Sequence, residues 1–198
     1  MNSELVAALK DIVGDAGFLE GDAVGEKYYS DWRGQGDVRP GLVLRPFDTR
    51  ELSEIMKCCH AAGQAVVAQG GMTGLVAAAR PTRNEIPISF ERMTGIDELD
   101  ARTGTMTVQS GTPLQVIQEH AEENGFIYPL DLGARGSCTI GGNLATNAGG
   151  NRVIRFGMTR DLVLGVEAVL ADGTIVSSLN KLIKNNTGYD LKQLFIGS

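Results

Sequence analysis

The chain has 198 residues, a formal net charge of −6, and 42% hydrophobic against 21% charged residues, a globular balance for one domain with room for two lobes. Lys and Arg are scattered through this acidic chain, which argues against nucleic acid as a partner, and no apolar run approaches ~18 residues, so no transmembrane segment is expected. Glycine is in excess: 26 residues, about 13% where roughly 7% is usual, interleaved with Val, Ile and Leu, so it marks backbone positions that need left-handed conformations or close approach. Three cysteines, two of them adjacent (Cys58, Cys59), and an N-terminus without a charged region before an apolar core suggest reduced thiols and a cytoplasmic location. The two histidines, His60 and His120, are too few for a His-rich metal site or a Ser-His-Asp triad.

In chain order, Ser3 is placed to cap a helix with an apolar face of Leu5, Leu9 and Ile12, ended by Gly14. YYSDWRGQGD (28–37) reads as loop. GLVLR (41–45) is a strand ended by Pro46. Asp48 with Glu51 forms an aspartate version of the capping box, and Leu52, Ile55, Met56 and Cys59 give the apolar face of the helix that follows, closed by Gly63. AVVA (65–68) reads as a short buried strand, so strand, helix and strand make a small βαβ unit. IPISF (86–90) is a further strand. ELDARTGTMTVQSG (98–111) reads as a hairpin turning at Thr103-Gly104. Thr112 and Pro113 suit the cap and first position of a helix running to Asn124-Gly125. Residues 129–150 carry too few periodic apolar positions for a regular element. VLGVEAVL (163–170), ADG and TIVSS read as a second hairpin. The class is α+β.

Two glycine segments carry the chemistry. Gly70-Gly71-Met72-Thr73-Gly74 follows a strand directly, and successive glycines there let backbone N–H groups converge on an anion. A pyrophosphate suits such a nest, with Thr73 adding a hydroxyl. No Lys or Arg lies between 69 and 75, so binding would rest on N–H dipoles; the alternative for this loop is a tight turn. The second segment, PLDLGARGSCTIGGNLATNAGG (129–150), offers donors at Ser137, Thr139, Asn143, Thr146 and Asn147, and small Ala134, Ala145 and Ala148 against which a flat ring could lie. An irregular stretch of this length is uncommon unless functional, and a structural Ω-loop is the alternative. GxGxxG, GxxxxGK[ST] and GxSxG are all absent, which excludes the Rossmann fingerprint, the P-loop and the nucleophile elbow.

QGGMTGL (69–75), the 129–150 segment, LADG (170–173) and NNTGYDLKQLFIGS (185–198), in that order, resemble the FAD-binding (PCMH-type) domain of the vanillyl-alcohol oxidase superfamily, and within it the D-2-hydroxyglutarate, D-lactate and glycolate dehydrogenase group. YSDWRG (29–34) matches the same group. The resemblance implies a two-lobed α+β domain, with an N-terminal helix and loop (1–37), a small βαβ lobe (38–95) and a larger lobe with antiparallel hairpins (96–198), and FAD between the lobes. It implies that Gln69, Gly70, Gly71, Met72, Thr73, Gly74 and Leu75 hold the pyrophosphate. Pro129, Asp131, Leu132 and Gly133, then Ser137, Cys138 and Thr139, then Gly141, Gly142, Ala145 and Asn147, and finally Gly149 and Gly150 would line the flavin and its ribityl-phosphate chain. Relatives with a histidyl-linked flavin carry His after the paired glycine; Met72 stands there, so non-covalent FAD is expected.

The implied activity is oxidation of a small D-2-hydroxy acid, with electrons leaving to a separate acceptor and a homodimer as one assembly open to it. The family continues past this point into a cap domain with the catalytic base and metal-binding histidines, so no catalytic residue and no metal ligand is assigned to this chain. Two alternatives are an NADPH enzyme like UDP-N-acetylenolpyruvoylglucosamine reductase and a separate FAD-binding electron-transfer subunit. Cys58-Cys59-His60 reads as helix surface and core, and Cys138 as a small packed residue. Arg152, Arg155 and Arg160 read as solvated surface, with contact to an anionic cofactor or acidic substrate as the alternative. Trp32 is expected to pack, and the Asn185-Asn186-Thr187 sequon carries no weight without secretion.

Overall fold

In the computed structural model, which describes residues 2–36 and 38–197, helix α1 (Ser3–Gly17) is capped by Asn2, whose side chain accepts from the Glu4 N–H at 2.9 Å. Asn2 rather than Ser3 is therefore the cap, as Asn and Ser are about equally good at it. Gly14 leaves helical geometry at φ +61 but a further turn follows, and the buried face is Leu5, Leu9 and Val13 rather than one ending at Ile12. Asp37, the last residue of the expected 28–37 loop, lies outside the described residues. Within that stretch Tyr28 closes a 3-10 turn and is buried, while Trp32 is 65% exposed and does not pack.

Residues through Met93, together with Val169–Ile175, form one compact unit. Its sheet holds β1 (Phe18–Glu20), β2 (Leu42–Leu44), β3 (Val66–Gln69) and β4 (Ile86–Ser89) in the order β1-β2-β4-β3. β1 pairs antiparallel with β2, and β4 runs parallel to both β2 and β3. Strand, helix and strand do form the βαβ unit, but β4 inserts between the two strands. β2 and β4 are buried throughout, as expected of central strands covered on both faces. β3 is the sheet edge, where only Gln69 is buried, so the expected buried strand at 65–68 is instead half-exposed. Leu42 and Leu44 join Leu9, Ile55 and Ile88 in the main core, whereas Val43 points to Val24 and Tyr28.

Helix α2 (Thr49–Ala61) is capped by Asp48, which accepts from the Glu51 N–H at 2.8 Å. The reciprocal bond lands one residue early: Glu51 accepts from the Phe47 N–H at 2.7 Å. At the other end Gly63, at φ +62, closes a Schellman turn through Gly63 N–H to His60 O and Gln64 N–H to Cys59 O, which satisfies carbonyls the helix leaves open.

Glu91 gathers the unit's polar contacts. It accepts from Lys27 Nζ and the Tyr28 hydroxyl, both at 2.6 Å, and from Arg45 at 3.0 Å. Burial raises its carboxyl, but the bonds from Lys27, Tyr28 and Arg45 outweigh burial and hold it below the usual glutamate range. A second tie is the Ser53 hydroxyl, which donates to Gly173 O at 2.6 Å.

The second unit comprises Thr94–Ala168 and the residues from Val176 on. It contains the hairpin β5 (Ile96–Asp100) and β6 (Thr105–Val108), helix α3 (Leu114–Glu123), short helices α4 (Ile140–Ala145) and α5 (Val153–Phe156), and the stem of hairpin β7 (Val166–Val169) and β8 (Ile175–Ser178). The β5–β6 hairpin turns through Gly104 at φ +65, and its register shifts between Ile96 and Glu98. Thr112 does not cap α3. Its hydroxyl is engaged with Gly95, accepting from the N–H at 2.9 Å and donating to the carbonyl at 3.0 Å, and Pro113 occupies the cap position.

Because the folded pKa of Glu91 is depressed, its contribution is full above the ordinary glutamate pKa and is lost as pH falls through the lowered folded value. The stability gap between wild type and Glu91→Gln, followed by urea titration, should therefore be widest at neutral pH and close on acidification; a gap independent of pH contradicts this. Gly173 sits at φ +84, and a Cβ there would lie 2.6 Å from the Ser53 carbonyl oxygen. Gly173→Ala should cost about 2 kcal/mol, read as a fall in the urea midpoint.

Candidate cofactor site

Each unit carries one of the glycine segments. In the first, β3 ends at Gln69, which is 1% exposed. Its side-chain amide donates to Tyr28 O at 2.7 Å and to Ala79 O at 2.8 Å, so it pins the chain on both sides of the loop. Gln69 Oε1 is buried and has no partner among the described residues. Gly70, Gly71, Met72 and Thr73 are half-buried, and Gly74 and Leu75 are exposed. Met72 adopts φ +54, a left-handed conformation that costs a non-glycine residue about 1–3 kcal/mol and persists only where its surroundings fix it. One such constraint is the Trp32 N–H, which donates to Met72 O at 3.2 Å.

The turn that presents Trp32 is organised by Asp31, which is 7% exposed. Asp31 accepts from the Arg33 N–H at 3.0 Å, the Arg33 guanidinium at 3.2 Å and the Gln35 N–H at 3.4 Å, with Arg80 Nε at 3.7 Å. Burial raises this carboxyl, and the Arg33 and Gln35 bonds outweigh it and hold it below the usual carboxylate range. Sequence reading placed cations outside 69–75 and missed this support, because Arg80 meets Asp31 only through the fold.

In the second unit, residues 129–139 wrap the start of α3. The Leu114 N–H donates to Cys138 O at 3.0 Å and the Gln115 N–H to Arg135 O at 2.9 Å. These carbonyls satisfy donors that the helix start leaves open, which is why no side-chain cap is needed. Pro129 is buried, and Gln118 Nε2 donates to Leu130 O at 2.7 Å. Leu132 and Cys138 pack with Leu114 and Leu130, so Cys138 is the packed residue expected. Burial raises its thiol, and it pushes Cys59 up to about 11, which leaves both protonated and unreactive at neutral pH. Gly133 and Ser137 are exposed.

The segment is not irregular throughout, since residues 140–145 form α4. Thr139 occupies the cap position, yet its hydroxyl makes no capping bond and is buried without a partner among the described residues. Asn143 Nδ2 and Ser110 Oγ are likewise buried and unpartnered among the described residues. Gly141 and Gly142 are half-buried and Ala145 is exposed. Gly141 donates to Ser110 O at 2.8 Å, and a Cβ on Gly150 would lie 2.1 Å from the Asp131 carbonyl oxygen, so only glycine fits there. Gly149 packs against Met158. Asn147 adopts φ +44. Asn143 is among the donors the sequence offered, whereas Ser110 was not singled out: an isolated Ser outside the glycine segments gives no signal until folding buries its hydroxyl.

The arginine run divides. Arg152 pairs with Asp131 at 3.8 Å, and the Arg155 guanidinium lies over the Phe156 ring. Arg160 is not solvated surface: its guanidinium bonds Gln193 Oε1 at 2.8 Å, Gln193 O at 3.0 Å and Ile196 O.

Residues 40–178 match the FAD binding domain family. Over 157 residues the chain is 51% identical to the cattle protein named "D-2-hydroxyglutarate dehydrogenase, mitochondrial", covering 79% of this chain and 29% of that protein. It is 42% identical over 198 residues to the Arabidopsis thaliana protein of the same name, covering 100% of this chain and 35% of that one. The chain thus spans about a third of the length of the curated relatives it matches. Among solved structures, an alkyldihydroxyacetonephosphate synthase superposes with a TM-score of 0.85 at 20% identity, over 100% of this chain and 38% of that one, a likeness of fold alone. The word mitochondrial in the relatives' names overturns the cytoplasmic expectation: unpaired thiols report a reducing surrounding and do not distinguish one such compartment from another. FAD is the cofactor, and the chain belongs to the FAD binding domain family, with the PCMH-type fold of the vanillyl-alcohol oxidase flavoproteins.

Proposed function

We propose that this chain is the FAD-binding part of a dehydrogenase that oxidises a D-2-hydroxy acid, with 2-hydroxyglutarate as the favoured substrate, to the 2-oxo acid. The observation that carries this reading is the 51% identity with the cattle D-2-hydroxyglutarate dehydrogenase. Bound FAD supplies a two-electron acceptor, which is what converting an alcohol carbon to a ketone requires. A separate acceptor would take up the electrons that leave the substrate. Groups that bind and deprotonate substrate come from the part of the relatives' length that this chain does not span.

Within this reading the first lobe (38–95) supplies the pyrophosphate loop and the second (96–198) the flavin-facing segment. Residues 70–74 hold the pyrophosphate through backbone N–H groups, with Thr73 as a hydroxyl donor. The left-handed Met72 supports this, because alternation of right- and left-handed residues is how successive N–H groups come to face one anion. Gly74 supports it too: a Cβ there would meet nothing within 4 Å, so the loop has open space on that side. The unpartnered Thr139 hydroxyl and Asn143 amide fit a ligand rich in acceptors, since a buried polar group without a partner costs about 1–3 kcal/mol and a bound flavin or ribityl chain would relieve it. Met72, at the position of the histidyl link, holds the cofactor without a covalent bond.

The test uses the holoprotein as isolated. Acid precipitation should leave all yellow FAD in the supernatant; colour retained in the pellet would overturn non-covalent binding. With an artificial dye as acceptor, D-2-hydroxyglutarate should give a kcat/KM about tenfold or more above that of D-lactate, because a site built to pair a second carboxylate is left unpaired by lactate. Equal values, or a preference for D-lactate, would overturn the substrate assignment.

A further inference from the structure

Three residues of the 140–150 segment are held by residues further along the chain. Asn147, at φ +44, accepts on its side-chain oxygen from the Arg160 N–H at 2.9 Å. Ala148 O accepts from the Thr159 N–H at 3.1 Å and from the Thr159 hydroxyl at 2.7 Å, and Thr159 is fully buried. Leu144 O accepts from the Gly197 N–H at 2.9 Å. Arg160 joins the two sources of these bonds: its backbone grips Asn147, while its guanidinium binds Gln193 Oε1, Gln193 O and Ile196 O. Ile196 is 1% exposed, so the segment that Arg160 holds is seated in the unit. Gly197 approaches so closely that a Cβ there would lie 3.0 Å from Asn147 Cβ.

This use of an arginine is unusual for a surface role. No carboxylate pairs with Arg160 among the described residues, and its charge meets oxygen dipoles alone. A guanidinium has five donors in a fixed fork, so one side chain can fix a carbonyl, an amide oxygen and a second carbonyl in set relative positions. Asn147 closes α4 in a Schellman turn, its N–H on Leu144 O and the Ala148 N–H on Asn143 O, and the Arg160 N–H on its side chain fixes that closure against residues 193–197.

We propose that Arg160 is a positioning residue that couples the flavin-facing segment to residues 193–197, so that cofactor binding and the ordering of that distal segment are one linked equilibrium. The inference rests on the reading of 129–150 as the flavin-facing segment. If FAD favours the arrangement in which 144–148 are held, it must favour the bonds that hold them, and loss of those bonds must weaken FAD by the same factor. Arg160 touches no reacting atom in this account; it acts through Asn147 and Leu144.

The test combines amide hydrogen exchange with FAD titration. In wild type, loading with FAD should slow exchange at residues 193–197 by about tenfold, within the usual range of coupling between sites. Arg160→Ala should weaken FAD by about tenfold or more and abolish the FAD-dependent protection of 193–197, and Arg160→Lys should restore part of both. Gln193→Ala, which removes one acceptor and keeps the fold, should show a smaller loss of the same kind and decides the matter if Arg160→Ala does not fold. A role in general stability alone would lower the melting temperature of the apoprotein and leave the FAD-dependent protection intact. Wild type that binds FAD with no change at 193–197, or variants that bind FAD as wild type does, overturns the coupling while the flavin reading stands. Wild type that takes up no FAD overturns both.

Discussion

A glycine-rich loop has a full complement of backbone donors and acceptors and little side-chain bulk to restrain them, so fixing one conformation costs more entropy than for any other sequence. In this chain that cost falls on two segments, and each is met by side chains that bond to backbone. Gln69 spans from Tyr28 O to Ala79 O across the base of the first loop. Thr159 and Arg160 grip Ala148 and Asn147 in the second. The anchors are buried or half-buried, where a hydrogen bond is shielded from competing water. The loops are therefore held in place before any ligand arrives, and the binding surface is made of backbone whose position is already set.

The same logic bears on the left-handed residues of the two segments. Met72 and Asn147, like Ala77 just past the first loop, are left-handed without being glycine; the Trp32 N–H bonds Met72 O, while Asn147, which closes α4 in a Schellman turn, takes the Arg160 N–H on its side chain. Among the described residues, four of the five buried side-chain polar atoms without partners fall at or beside these segments, at Gln69 Oε1, Ser110 Oγ, Thr139 Oγ1 and Asn143 Nδ2, and the fifth is Arg45 Nε. Strain and unpaired polar atoms are both costs that a fold retains where a function uses them. The unpaired polar atoms at the glycine segments separate these loops from ordinary turns such as Thr103-Gly104.

Local chemistry was legible in the sequence wherever a single element carried it. The α2 face of Leu52, Ile55 and Cys59, its closure at Gly63 and the hairpin turn at Gly104 all follow from spacing and turn residues. Resemblance in four ordered blocks gave the family. Misreadings arose where a residue's partner lies elsewhere in the chain. Thr112 has the chemistry of a cap, but Gly95 takes its hydroxyl. Val66–Gln69 has the composition of a buried strand, but β4 takes the central position. Helix α4 was hidden because Gly141-Gly142 lowers helix propensity by about 1 kcal/mol per residue, and it forms where Ser110 O and Thr112 O accept from Gly141 and Ile140. Arg160 looked like part of a solvated basic run because its acceptors, Gln193 and Ile196, follow more than 30 residues later.

The most direct test of the account is a crystal structure of the protein loaded with FAD. The account predicts pyrophosphate oxygens within hydrogen-bond distance of backbone N–H groups of residues 70–74, with Met72 still left-handed, and a ligand atom bonded to Thr139 Oγ1 or Asn143 Nδ2. Pyrophosphate held by lysine or arginine side chains away from that loop, or Thr139 and Asn143 still unpartnered beside the bound cofactor, would contradict it.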